Sequence, residues 1–190
     1  MLRPTLLLLL LLLLAACANQ PPVALSSQYK PPGYPPGMGP AREKALGGAA
    51  MCRVHLGGVE DRRADTTAMG EIGGRPIRAA DAAGWVHSGL ESLEGGRIRL
   101  VGESDSDVAV SARLIKAYVF SQTSAKSANI ALTVHYDRHG AGVDRLYRGQ
   151  DEGANWASGE DEAVGTLSRA LAQVLEQIRQ DLLADCAAAK

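Results

Sequence analysis

The sequence predicts an α+β domain, a two-layer sandwich in which one mixed, mostly antiparallel sheet of about five strands carries two helices on one face. Three observations lead there. Apolar residues alternate with a period of two from Ala128 to Tyr136, as in a half-buried strand, and a glycine-containing turn follows at once. Strand, helix and strand patterns succeed one another between Met51 and Val101, the order of a parallel crossover. The chain closes with an apolar stripe at helical spacing, Val164, Leu167, Leu171, Val174, Ile178 and Leu182, long enough to cover a small sheet.

Two segments of different composition precede this domain. Arg3, an unbroken leucine run from Leu6 to Leu14, and then Ala15-Ala16-Cys17 form a bacterial lipoprotein signal. The apolar run falls short of the roughly 18–20 residues needed to cross a bilayer, so removal is expected. Small residues admit the peptidase to the backbone, and the thiol that follows carries a diacylglycerol through a thioether. Residues 1–16 are therefore expected to be the signal peptide, with Cys17 the lipidated N-terminus of the mature chain. Residues 17–48 are expected to be a disordered tether, because Pro21, Pro22, Pro31, Pro32, Pro35, Pro36 and Pro40 favour extended chain that buries little apolar surface. Tyr29 and Tyr34 leave open a Pro-Tyr ligand for a partner groove. Residues 49–190 make one globular domain.

Within that domain, Cys52, Val54 and Leu56 mark the inner face of a first strand. Asp61-Arg62-Arg63-Ala64-Asp65 follows as a salt-bridged turn, and Gly70, Gly73, Gly74 and Pro76 announce a short hairpin or irregular loop. Asp81 caps a helix reaching about Glu94, which Gly84 and Gly89 each weaken by about 1 kcal/mol relative to Ala. Ile98 and Leu100 face inward on a second strand. On a long third strand Val108, Val110, Ala112, Leu114, Tyr118 and Phe120 share one side, interrupted only by Lys116. Its other side, with Ile115, Ala117 and Val119, is less polar than a solvent face should be. The fourth strand, a turn from Arg138 to Gly142 and a fifth strand from Val143 to about Gln150 complete an antiparallel meander. Ser158 caps the final helix, with Glu160, Asp161 and Glu162 complementing its dipole.

The chain has three cysteines. With Cys17 assigned to lipid, Cys52 and Cys186 remain, an even pair in an oxidising compartment. Cys186 continues the final helical stripe one turn past Leu182, so both cysteines face the core. A disulfide is the favoured reading and two separate buried thiols the alternative.

Little in the chain asks for chemistry. Of His55, His87, His135 and His139, only the last two stand four apart, and they straddle a strand end and a turn, so no metal site is expected. No nucleophile elbow or Ser/His arrangement is legible, and Gly57-Gly58 and Gly73-Gly74 fit no phosphate loop. Trp85 and Trp156 read as core or rim packing before ligand anchors. The expectation is no enzyme, no catalytic residue and no cofactor. The net charge of -1 gives no bias toward nucleic acid.

The lipobox ending at Cys17, the strand leading to Asp61-Arg62-Arg63-Ala64-Asp65, the hairpin through Leu114-Ile115-Lys116-Ala117-Tyr118 and Asn129-Ile130-Ala131-Leu132, and Tyr147-Arg148 leading through Asn155-Trp156-Ala157 to Ile178-Arg179-Gln180-Asp181 together resemble the YajG family of bacterial lipoproteins. The Pro/Tyr-rich tether and the Cys52/Cys186 pair are not family features. The resemblance implies an envelope lipoprotein without catalytic residues. Ala18 stands where aspartate would favour inner-membrane retention, so the implied site is the periplasmic face of the outer membrane. The expected role is a non-enzymatic binding or assembly module held to the membrane by its lipid, with an envelope protein as partner. The alternative is a lipid or small-molecule carrier, auxiliary to an envelope ABC transport system.

Overall fold

The computed structural model describes residues 21–32, 51–138, 140–155 and 159–188. The chain runs β1 (Val23–Leu25), β2 (Cys52–Asp61), β3 (Glu71–Ile72), β4 (Arg75–Ala79), α1 (Ala82–Glu91), β5 (Ile98–Leu100), a 3-10 turn at Glu103–Asp105, β6 (Val108–Ser121), β7 (Ala125–Arg138), β8 (Ala141–Ala154) and α2 (Glu160–Ala188). Five strands form the main sheet in the order β5-β2-β6-β7-β8. β2 lies parallel to β5 and β6, and β6 to β8 follow as the antiparallel meander. The α+β class and the strand-helix-strand crossover match expectation.

The sheet count does not. A second sheet of three strands, in the order β1-β4-β3, packs into the same core. β1 comes from residues expected to belong to an unpacked tether. Val23 and Leu25 point inward while Ala24 is exposed, and the strand pairs in parallel with β4. The Tyr29 ring meets Trp85 edge-on with centroids 6.2 Å apart. A three-residue alternation among prolines is too short to announce a strand, yet β4 offers it a ladder and the core offers it burial. Gly73 and Gly74, both at positive φ, close the β3–β4 hairpin.

A second difference lies inside β6. The β6–β7 register shifts between Leu114 and Lys116, leaving Ile115 as a bulge. Beyond it the faces exchange: Ala117 and Val119 are buried, whereas Phe120 is 54% exposed. The two-residue period, expected to keep one face along the strand with an interruption at Lys116, is thus shifted at one residue, and Tyr118 and Phe120, expected on the core side, turn outward with Lys116.

Both helices lie over the inner face. Asp81 caps α1 by accepting the Gly84 N–H at 2.7 Å. Gly89, unfavourable for an isolated helix, lets the helices approach, since a Cβ there would lie 3.0 Å from Leu171 Cδ2. α2 buries Leu167, Leu171, Val174, Ile178 and Leu182, each stabilising the fold by about 1.5–3 kcal/mol. Gly149 on β8 admits the helix backbone itself, for a Cβ there would stand 2.0 Å from the Ala170 carbonyl oxygen. α2 also blunts the sheet edge. Gln173 Oε1 accepts the outward N–H of Gln150 at 3.2 Å, and Gln177 Nε2 donates to the Arg148 carbonyl at 2.8 Å.

Candidate functional site

Cys17 lies outside the described residues. Cys52 and Cys186 are bonded to each other, with Cα atoms 5.6 Å apart, which ties the start of β2 to the last turn of α2.

The outer face of the main sheet is covered by no described element, and its side chains form cross-strand rows. Ser111, His135 and Asp144 occupy one row on β6, β7 and β8. His135 Nδ1 lies 2.7 Å from Asp144 Oδ1, while Arg113, in the adjoining row, donates to Asp144 Oδ2 at 2.5 Å. The hydrogen bond from His135, joined by the Arg113 charge, holds the Asp144 carboxyl below the usual carboxylate range. Beside the row β2 bulges at Gly57-Gly58, two residues opposite Ser111 alone. Gly142 makes room for the imidazole, because a Cβ there would lie 2.6 Å from His135 Cε1. A shallow depression over these residues also takes in Glu60 and Thr133.

The row assembles the residue types of a catalytic triad, an arrangement not legible in the sequence. The Ser111 hydroxyl forms no hydrogen bond with His135 among the described contacts, and both His135 and Asp144 are about half exposed, where water weakens every polar interaction the row could make. Leu146 adds apolar surface on the next row at 51% exposure.

Beneath the same strands a buried polar chain fixes α2. Tyr147 donates to Asp181 Oδ2 at 2.6 Å, so Tyr136, 2.6 Å from the Tyr147 oxygen, donates to Tyr147. Burial, then the bond to Asp181, pushes the Tyr147 hydroxyl up to about 12. Burial raises Tyr136 further, helped by its bond to Tyr147. Arg145 bridges Asp181 and Asp185, both at 3.1 Å, and stacks over the Tyr136 ring.

The remaining described candidates make local structural contacts. Arg63 pairs bidentately with Asp61 and donates to the Ala68 carbonyl, Arg62 pairs with Glu60, and Asp65 accepts from Thr67 and Ala68. Trp85 is buried in the core beside Tyr29. His55 and His87 contact the Val101 carbonyl and Glu91. His139, Trp156 and the expected cap Ser158 lie outside the described residues. Among the described residues no three His, Cys, Asp or Glu side chains gather as metal ligands would, and no helix is long and apolar enough to cross a membrane.

No protein-family model matches the chain, and neither does any curated protein. Solved structures share part of its outline. A hypothetical protein from Chlamydia trachomatis is 9% identical with a TM-score of 0.42, covering 72% of this chain and 96% of its own. A protein from Caulobacter crescentus CB15, provisionally named a lipoprotein, is 12% identical with a TM-score of 0.41 over 70% of this chain and 92% of its own. A lipoprotein from Neisseria meningitidis is 6% identical with a TM-score of 0.37 over 72% of this chain and 98% of its own. These chains resemble this one in outline only, and two of the three carry the lipoprotein name.

Proposed function

We propose that the protein is a lipid-anchored envelope lipoprotein of the YajG type, held by Cys17 on the periplasmic face of the outer membrane and serving as a non-enzymatic binding or assembly module. The observation that carries this reading is the bond between Cys52 and Cys186. It fits an oxidising compartment and leaves Cys17, at the end of the signal pattern, as the remaining cysteine of three. The binding role rests on the uncovered sheet face, where exposed Leu146 adjoins the charged group of Arg113, His135 and Asp144, and Phe120 is exposed three rows further along the strands. Apolar surface beside polar groups of both signs is the composition of a partner surface.

The carrier alternative needs an apolar groove between α2 and the sheet. That junction is filled by the α2 stripe and drawn into backbone contact at Gly149. Density-gradient fractionation of native envelopes, followed by photo-crosslinking from position 146, tests the proposal. The protein is expected in the outer-membrane fraction, with one crosslinked envelope partner that is lost in an Arg113→Glu, His135→Glu variant. A stoichiometric lipid released from the purified domain, with no such partner, contradicts it.

A further inference from the structure

The outer face of the main sheet is not flat. β7, the middle strand of the meander, presents small side chains there, Ser127, Asn129, Ala131 and Thr133, while β6 and β8 on either side present large ones. Exposure follows the same division. Lys116 and Phe120 on β6 and Leu146, Arg148 and Gln150 on β8 are exposed, whereas the β7 residues between them are half-buried or buried. Ala131 is only 8% exposed although no described element covers it, so side chains of the flanking strands rise above it. The result is a trough along β7, two strand spacings or about 10 Å from wall to wall and about 20 Å long from Ser127 to Thr133. Its ends open into two surface depressions, one taking in Thr133 with Arg113 and His135, the other taking in Ser127 with Phe120 and Glu152.

The walls carry positive charge at mid-length. Lys116, Ala131 and Arg148 are partners in one cross-strand row, which sets the two cations opposite each other across the sunken alanine. Neither forms an ion pair with a described residue. The carboxylates nearest along the β8 wall are already engaged, Asp144 by Arg113 and His135, and Glu152 by the Gln150 amide. Lys116 Nζ lies 4.6 Å from the centroid of the Tyr118 ring and occupies the aromatic surface that a stacking sugar would need beside the row. An extended polypeptide has no such need. Its side chains leave alternately to the two sides, so a chain lying along β7 aims consecutive residues at opposite walls. Two adjacent carboxylates would meet Lys116 and Arg148, and an apolar residue two positions from one of them would meet exposed Leu146 on the β8 wall.

We infer that this trough seats an extended acidic segment of the partner protein, with two adjacent carboxylates held between Lys116 and Arg148. The inference rests on the binding-module reading above and names the chemistry of its partner. Opposed charges of this kind set register and speed encounter more than they add affinity, and because both cations are exposed their attraction is screened by salt.

The test uses the full protein purified in a non-ionic detergent and three fluorescein-labelled octapeptides of threonine and valine whose central pair is Glu-Glu, Gln-Gln or Lys-Lys. Fluorescence anisotropy at about 50 mM salt is expected to show the Glu-Glu peptide binding roughly tenfold more tightly than the Gln-Gln peptide, and the difference is expected to vanish at about 500 mM salt. The Lys-Lys peptide should not bind. In a Lys116→Gln, Arg148→Gln variant the Glu-Glu peptide should bind no better than the Gln-Gln peptide, whereas a Lys116→Arg, Arg148→Lys variant should keep the preference. Asn129→Tyr, which fills the floor without altering charge, should weaken the Glu-Glu peptide as well. Equal binding of the Glu-Glu and Gln-Gln peptides, a preference that survives the glutamine variant, unchanged binding to Asn129→Tyr, or binding of polygalacturonate in place of the acidic peptide overturns the inference. Crosslinking from position 146 separates the two levels. A partner captured in envelopes while the peptides fail defeats the acidic segment alone, whereas no captured partner and no bound peptide defeats the binding module as well.

Discussion

Cys52, at the start of β2, and Cys186, in the last turn of α2, are joined across 134 residues of sequence. Closing so long a loop restricts the unfolded chain, and the chain-entropy model places the stabilisation at about 5 kcal/mol. Reduction, or a Cys52→Ala, Cys186→Ala double substitution, is expected to lower the urea midpoint by most of that amount without changing the strand content seen by circular dichroism. An unchanged midpoint on reduction would show that the ends of β2 and α2 are held by packing alone.

Gly149 is the position at which α2 touches the sheet backbone. Gly149→Ala must displace the Ala170 carbonyl, and overpacking of this kind costs about 1–3 kcal/mol. Gly58→Ala is the control, because nothing lies within 4 Å of a Cβ placed there. Its unfolding midpoint should move by no more than about 0.5 kcal/mol.

The Tyr136–Tyr147–Asp181 chain makes stability depend on pH at the alkaline end. A hydroxyl raised in the folded state to about 12, against an ordinary value near 10, binds its proton more tightly when folded. Its contribution is complete below about pH 10 and fades as pH rises through 12. Spectrophotometric titration of the folded protein should show two of the five tyrosines ionising late. Tyr147→Phe leaves the buried Tyr136 hydroxyl without its acceptor and Asp181 with Arg145 alone, at a cost of about 1–3 kcal/mol.

Asp61 governs the acid end. Burial opposes its ionisation, but hydrogen bonds from Arg63 and the guanidinium charge outweigh that and hold the carboxyl below its ordinary range. A depressed folded value means the contribution is present above an unfolded value of about 4 and is lost as pH falls below it. Arg63→Ala is expected to cost about 2–3 kcal/mol at neutral pH, because it strands a largely buried carboxylate, and to flatten the loss between pH 4 and lower values. Urea midpoints measured across that range check both effects.

The legibility of the fold follows from which signals are local. The Arg138–Gly142 turn fixes the β7–β8 register, and that register sets His135 opposite Asp144. Their pairing was thus within reach of the sequence. Ser111 was not. Carrying the register of the β6–β7 hairpin back from its tip, where Ser121 faces Lys126, sets residue 111 against 136, and only the unpaired Ile115 shifts it to His135. A bulge has no fixed signature in a run of mixed polarity such as Arg113-Leu114-Ile115-Lys116. β1 escaped for a different reason: its partner β4 is more than fifty residues distant, and prolines on both sides suggest extended unpaired chain. The core helices were readable because their periods are long and uninterrupted, as the α2 stripe ending at Cys186 shows.

The anchor is tested most directly by the intact mass and fragment spectrum of the N-terminal peptide from protein extracted out of native membranes. Lipidation requires that the peptide begin at Cys17 and carry a diacylglycerol thioether. A peptide that begins upstream of Cys17, or one whose Cys17 thiol is free, would contradict it.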